Sequence, residues 1–222
     1  MYHEHFMYNG DYEEWQMSLI ANKFPPGKSL VDLGCGSGSF SGKLSNLLGV
    51  TDLTLVDPYS GVGIPQTTMD FCCNTNKKFD CVLLKESLHH TPTRDLPVLF
   101  DKLFELTDGV CMVVTRPQYD IDYPFNDEMF KKWKNSQVTP YEYLDRMVEA
   151  GFRDCSLSVH TYDFIVRLED WISMVRNRVW SIFGPDEEEY IEWLIKHFPR
   201  IIKFQEKLVI VTGHSELSSY SS

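Results

Sequence analysis

The sequence predicts an α/β fold: a doubly wound, mostly parallel sheet, covered by helices on both faces and closed by an antiparallel hairpin. Three observations predict it. Segments of helical spacing alternate with short runs that are apolar throughout, as strands buried on both faces must be. The first such run leads into a glycine-rich turn, Gly34-Cys35-Gly36-Ser37-Gly38, with a helix directly after it. The last strand-like segments, 155–162 and 206–212, suit a closing hairpin.

The elements follow in order. Residues 1–24 read as a helical segment ending at Pro25-Pro26-Gly27, with Tyr8, Tyr12 and Trp15 giving it aromatic weight. Ser29 to Leu33 is a short buried strand. Phe40, Leu44, Leu47 and Leu48 share one face of a helix. Leu53 to Val56 is a second buried strand, ending on Asp57. The stretch 58–69 holds Pro58, Gly61, Gly63 and Pro65 and is too broken for a good crossover helix. Phe79 to Leu84 and Val110 to Thr115 are buried strands, with a helix at Leu96 to Leu106 between them. A helix opens at Thr139-Pro140, with Thr139 as its cap, and closes at Gly151. Leu168 to Trp180 and residues 186–197 read as helices, and 213–222 as a Ser-rich, disordered tail.

Nothing divides the chain, so 1–222 is expected to be one domain: a lid segment over 1–27, and substrate-cover segments over 116–143 and 165–200. At 43% hydrophobic and 24% charged, the 222 residues have the composition of an ordinary globular protein. A formal net charge of -11 weighs against nucleic acid as a partner. Lys131, Lys132 and Lys134, the densest basic cluster, read as a solvated helix face. None of the six cysteines forms a C-x-x-C pair, so the common zinc and redox spacings are absent and a reducing, cytoplasmic setting is expected. No apolar stretch is long enough to span a bilayer, so no membrane partner is expected.

The glycine turn carries the functional signal. Ligands of open α/β sheets bind beyond the carboxyl ends of the strands, and glycines there let a ligand approach the backbone closely. Asp57 ends the next strand, 21 positions after Gly36, where an acid can accept hydrogen bonds from both ribose hydroxyls. Strand, turn and acid together point to a nucleoside-containing ligand. A dinucleotide site of the G-x-G-x-x-G type would need glycine at position 39, which is Ser39 here.

Val31-Asp32-Leu33-Gly34-Cys35-Gly36-Ser37-Gly38 resembles the first motif of class I S-adenosylmethionine-dependent methyltransferases, of the small-molecule type. The resemblance implies a seven-stranded, Rossmann-like sheet with S-adenosylmethionine across its first two strands. It implies that Asp32 helps hold the methionine end, that Asp57 and Pro58 meet the ribose side, and that Gly34, Cys35, Gly36 and Gly38 line the cofactor. Met69-Asp70-Phe71 resembles the family segment beside the adenine. Residues 79–90, including Lys85, Glu86, His89 and His90, resemble the fourth strand and the loop of the methyl-transfer site. Leu144 to Phe152 resembles the helix and turn before the sixth strand. Only twelve residues separate Asp57 from Asp70, so the helix usual in the family is expected to be shortened or missing.

Methyl transfer is a displacement at a sulfonium carbon, and the protein mainly aligns nucleophile and methyl group. A hydroxyl or protonated amine acceptor also needs a base, which His89 or His90 could supply. Lys85 and Glu86 are candidate cofactor contacts. No metal is expected, because the loop offers only Glu86 as a nearby acid. Tyr8, Tyr12, Arg116, Tyr119, Trp133 and Arg176, with the two histidines, are candidate contacts to the acceptor. Arg116 follows the fifth strand of the family pattern, where it would meet an anionic acceptor or form a structural ion pair. The aromatic cover suits a small, partly apolar or aromatic molecule methylated on O or N. A non-catalytic S-adenosylmethionine-binding partner and an NAD-dependent oxidoreductase are the competing readings.

Overall fold

The computed structural model describes residues 10–24, 28–185 and 187–216. The chain runs α1 (Gly10–Ala21), β1 (Ser29–Leu33), α2 (Ser39–Leu48), β2 (Asp52–Val56), α3 (Thr68–Asn74), β3 (Phe79–Lys85), α4 (Leu96–Leu106) and β4 (Thr107–Thr115). It continues through α5 (Asp127–Ser136), α6 (Pro140–Ala150), β5 (Arg153–Arg167), α7 (Leu168–Arg176), α8 (Glu188–His197) and β6 (Ile201–His214). The sheet order is β2-β1-β3-β4-β6-β5. β1 to β4 pair in parallel, whereas β6 runs antiparallel to both β4 and β5.

Sequence signals set many of the boundaries. Gly38 and Gly49 cap the two ends of α2 in left-handed conformations. Pro140 opens α6 and Gly151 closes it, its amide bonding back to the last turn. Asn126, which the sequence did not announce as a cap, accepts from the Met129 amide at 2.8 Å and starts α5.

The described residues form six strands rather than seven. The absent strand would lie beyond β2, where Ile64 makes a single parallel bridge to Val56. Gly63 packs so closely on the Leu55 carbonyl that a Cβ would fall 2.2 Å from its oxygen. With Pro58 and Pro65 on either side, the segment can hold neither a full helix nor an extended strand. The other correction is at the carboxyl end. β6 continues to His214, where Gly213 pairs with Cys111 and His214 with Val110, so the expected tail does not begin at 213.

Alternate residues of the central strands feed opposite faces, which is why these strands read as continuously apolar. Val31, Leu33, Val82, Leu84, Cys111 and Val113 pack with Leu99, Phe100, Tyr143 and Met147 of α4 and α6. Leu30, Leu83, Met112 and Ile210 pack on the other face with Ile20 and Leu44 of α1 and α2. Asp32 lies on this second phase, facing α2.

β5 and β6 pair along their whole length, but β4 meets β6 only from Val209 onward. Their far halves therefore carry a second, aromatic core, including Tyr12, Tyr123, Trp133, Trp171, Trp180, Phe183 and Phe204. The segments expected to cover a substrate thus bury most of their aromatic rings against one another. Among the described residues, no helix is long and apolar enough to cross a membrane.

Candidate active site

β1 is the switch point of the sheet: the chain passes from it to β2 on one side and later to β3 on the other. The glycine turn leaves β1 here. The amides of Gly34 and Cys35 both donate to the Val56 carbonyl, at 2.8 and 3.1 Å, pinning the turn to the end of β2. Gly34 has φ 85°, and a Cβ on it would fall 2.4 Å from the Ser87 Cβ. Ser87 is held there by its hydroxyl, which donates to the Leu33 carbonyl at 2.8 Å. The loop after β3 is thereby pressed directly against the turn. At Gly36, φ is 53° and a Cβ would meet nothing within 4 Å, so the backbone there faces open space.

Asp57 accepts from the Gly36 amide at 3.0 Å through Oδ2. Its Oδ1 accepts from the Tyr59 and Ser60 amides, each at 2.8 Å, just past Pro58. Asp32 is buried, and Ser41 of α2 donates its hydroxyl to Oδ2. Asp32 Oδ1 has no hydrogen-bond partner among the described residues. Burial pushes the Asp32 carboxyl up to about 6, with the Ser41 hydrogen bond and Lys85 opposing. The Cys35 thiol is pushed up to about 11 by burial and then by Asp32, so it is no nucleophile.

Lys85 stacks its ammonium over the Phe40 ring at 4.6 Å, and burial pulls its pKa down. Glu86 has φ 53°, a left-handed conformation rare outside glycine, and its amide donates to the Val114 carbonyl at 2.8 Å. The Arg116 guanidinium lies between two carboxylates, bonding Glu86 Oε2 through Nη1 and Glu206 Oε1 through Nε at 2.6 Å. Its face covers Trp180 at 5.2 Å. Glu206 is completely buried, and also accepts from Tyr12 at 3.2 Å and Tyr123 at 2.6 Å. Burial, with Glu206 adding to it, pushes both phenols' pKa values upward, so they stay protonated donors.

His89 and His90 occupy a short 3-10 turn, Leu88–His90, with ring centres 4.0 Å apart. His89 Nδ1 is buried with no partner among the described residues, whereas His90 is exposed. Burial pulls His89 down to about 4, with His90 and Arg116 adding to the effect, so its imidazole is neutral at physiological pH.

The other candidates are placed elsewhere. Phe71 is buried in the main core against Phe79, and so packs α3 rather than facing outward. Asp70 is exposed and accepts from the Thr67 hydroxyl at 2.7 Å, in the cap of α3. Trp133 is 2% exposed and donates to the Pro117 carbonyl at 3.1 Å, inside the aromatic core. Tyr119 is half exposed, under the Lys134 ammonium. Arg176 ends α7 at the surface, 3.6 Å from Glu188. Tyr8 lies outside the described residues. Sequence reasoning missed Glu206 and Ser41. Glu206 had a signal: it occupies the inward phase of β6 after Ile202 and Phe204, where an apolar residue belongs.

The fold and the turn define the class first: a Rossmann-like α/β protein with its candidate ligand site at the ends of β1 and β3. A family model described as a methyltransferase domain matches residues 16–155, and the chain belongs to that family. A sequence search of curated proteins finds no match. Solved structures share the fold. A protein of Bacillus halodurans C-125 assigned as a methyltransferase superposes with TM-score 0.59 at 15% identity, covering 93% of this chain and 99% of its own. An Archaeoglobus fulgidus SAM-dependent methyltransferase gives 0.55 at 15% identity, covering 91% and 94%. Phosphoethanolamine N-methyltransferase 2 of Haemonchus contortus, solved with S-adenosyl-L-methionine, gives 0.54 at 12% identity, covering 94% of this chain and 58% of its own.

The geometry fits the cofactor that the motif resemblance implies. Asp32 Oδ1 is a buried acceptor lacking a donor among the described residues, which an amino-acid ammonium would satisfy. The open backbone at Gly36 allows a ligand to lie close.

Proposed function

We propose that this chain transfers a methyl group from S-adenosylmethionine to an oxygen or nitrogen of a small, partly apolar or aromatic molecule. The observation that carries this reading is the unsatisfied Oδ1 of Asp32, beside a glycine turn left open at Gly36. The cofactor supplies an electrophilic methyl group on a sulfonium. Asp32 would hold its ammonium, and Asp57 its ribose hydroxyls, exchanging bonds now made to backbone amides.

The chain's part in the chemistry is alignment and proton handling. His89 supports the role of base: it is neutral near pH 7, and its Nδ1 has no competing partner among the described residues. A net charge of -11 supports a partner other than nucleic acid, and six cysteines with no disulfide among the described residues support a cytoplasmic setting.

Isothermal titration with S-adenosylmethionine tests the central claim; no binding at high-micromolar concentration overturns it. Incubating the protein and labelled cofactor with a metabolite extract then identifies the acceptor from the labelled product.

A further inference from the structure

We propose that the partly buried Glu86–Arg116–Glu206 network selects an amine in its cationic form as the methyl acceptor, with the free oxygen of Glu86 receiving the ammonium. This rests on the methyl-transfer reading above and names the acceptor class for the same site.

The charge balance is the first argument. One guanidinium lies between two carboxylates, and the Lys85 ammonium acts on both Glu86 and Asp32, so three carboxylates share two cations. Arg116 gives Nε to Glu206 and Nη1 to Glu86, so two carboxylates already match its charge and it offers no excess positive charge to an anionic acceptor. Glu206 is saturated as well, its oxygens taken by Arg116, Tyr12 and Tyr123. Glu86 keeps one oxygen uncommitted: its Oε1 is buried and has no hydrogen-bond partner among the described residues.

A buried acceptor left unmade is costly, and a ligand that brings a donor recovers that cost. A cationic donor also offsets the surplus charge, which a neutral hydroxyl does not. The location is the second argument. Glu86 immediately precedes Ser87, which packs on Gly34, so its backbone adjoins the glycine turn. The third is backbone conformation. Among the described residues, Glu86 is one of four non-glycine residues at positive φ, and the only one at the end of a central strand. Such conformations persist where the surrounding structure imposes them, commonly at functional sites. Here the Val114 carbonyl and Arg116 impose it. An amine bound there as its ammonium gives up one proton, which His89 or solvent receives, before its lone pair can react.

The test uses three probes of matched shape: 3-phenylpropylamine, 3-phenylpropanol and 3-phenylpropionate. Each is titrated calorimetrically into the full chain saturated with S-adenosylhomocysteine. The amine is expected to bind at least tenfold more tightly than either of the others. In Glu86→Gln the ratio of amine to alcohol affinity should fall at least tenfold. If that variant does not fold, Glu206→Gln removes the same unit of charge and should lower the ratio likewise. Equal or weaker binding of the amine, or an unchanged ratio in a folded variant, overturns the proposal. Failure of S-adenosylhomocysteine itself to bind the unmodified protein overturns the methyl-transfer reading instead, and this proposal with it.

Discussion

The carboxylate of Asp57 is bonded to the Gly36 amide at 3.0 Å, so the acid ending β2 and the middle of the glycine turn form one unit. Two further amides, of Tyr59 and Ser60, close on its other oxygen. Asp57 therefore shapes the turn as well as offering a charge to a ligand. Asp57→Ala is expected to weaken S-adenosylmethionine binding by about 1–3 kcal/mol, the range for losing a charged acceptor. Titration calorimetry measures it, and unchanged affinity would remove Asp57 from the ribose assignment.

The two glycines flanking Cys35 should separate folding from binding. Gly34→Ala combines φ 85° with a Cβ only 2.4 Å from that of Ser87, so it should lose about 2 kcal/mol or more of stability. Gly36→Ala meets only open space and should lose about 1 kcal/mol from its backbone alone. Its new methyl group stands where the ligand would lie, so cofactor affinity should drop while the fold survives. Denaturant melts and cofactor titrations of both variants give the comparison; equal stability losses would contradict it.

Asp32 gives a pH dependence with a defined sign. Its folded pKa is raised from 3.8 to about 6, so between those values the folded state holds the proton more tightly than the unfolded chain. The associated stability is present below about pH 4 and is lost as pH rises toward 6, by something of the order of 3 kcal/mol. Asp32→Asn should flatten that part of the stability profile, read as the difference between the two proteins in urea melts. Cofactor affinity should run the opposite way, tightening from pH 5 to 7.5 as the carboxylate ionises to meet an ammonium. An affinity independent of pH over that interval would argue against the contact.

His89 should act unprotonated. Its pKa is pulled down to about 4, so turnover should show no inflection from this imidazole between pH 6 and 8. With an acceptor in hand, His89→Ala should reduce kcat by about 10²–10⁴ if it is the base, and the exposed His90→Ala should do much less. Similar kcat values for both variants and the parent protein would leave proton removal to solvent.

Arg116 bridges the loop after β3 to the buried end of β6. Arg116→Met would leave Glu86 and Glu206 facing one another without a cation, and should cost about 3–5 kcal/mol. A thermal melt suffices to check it; a loss below 1 kcal/mol would mean the carboxylates relax into water.

Much of the fold was legible because local rules governed it. The apolar runs of β1, β3 and β4 gave buried parallel strands, and Pro140 with Gly151 bounded α6 as read. The broken stretch 58–69 announced its own shortening, and the edge strand beyond β2 is what that shortening removed, leaving the bridge at Ile64. Asp32, the three glycines and Asp57 could be placed at one strand edge because a parallel strand followed by a tight turn leaves little choice. The aromatic residues of 116–143 and 165–200 resisted the same treatment. A ring lining a pocket and a ring filling a core look alike in sequence, and only the overhang of β5 and β6 past β4 shows that Trp133 is core.

The sequence by itself determined the class of sheet, the glycine turn and the acids around it, because each depends on residues close together in the chain. The tertiary structure alone decided what those groups meet. Glu206 lies 90 positions from Arg116, and Glu86 lies 30 positions before it. No periodicity links three such residues. They share one buried charge network because the antiparallel return of β6 beside β4 brings its inward phase up to the loop after β3, and burial then forces each charge to find a partner.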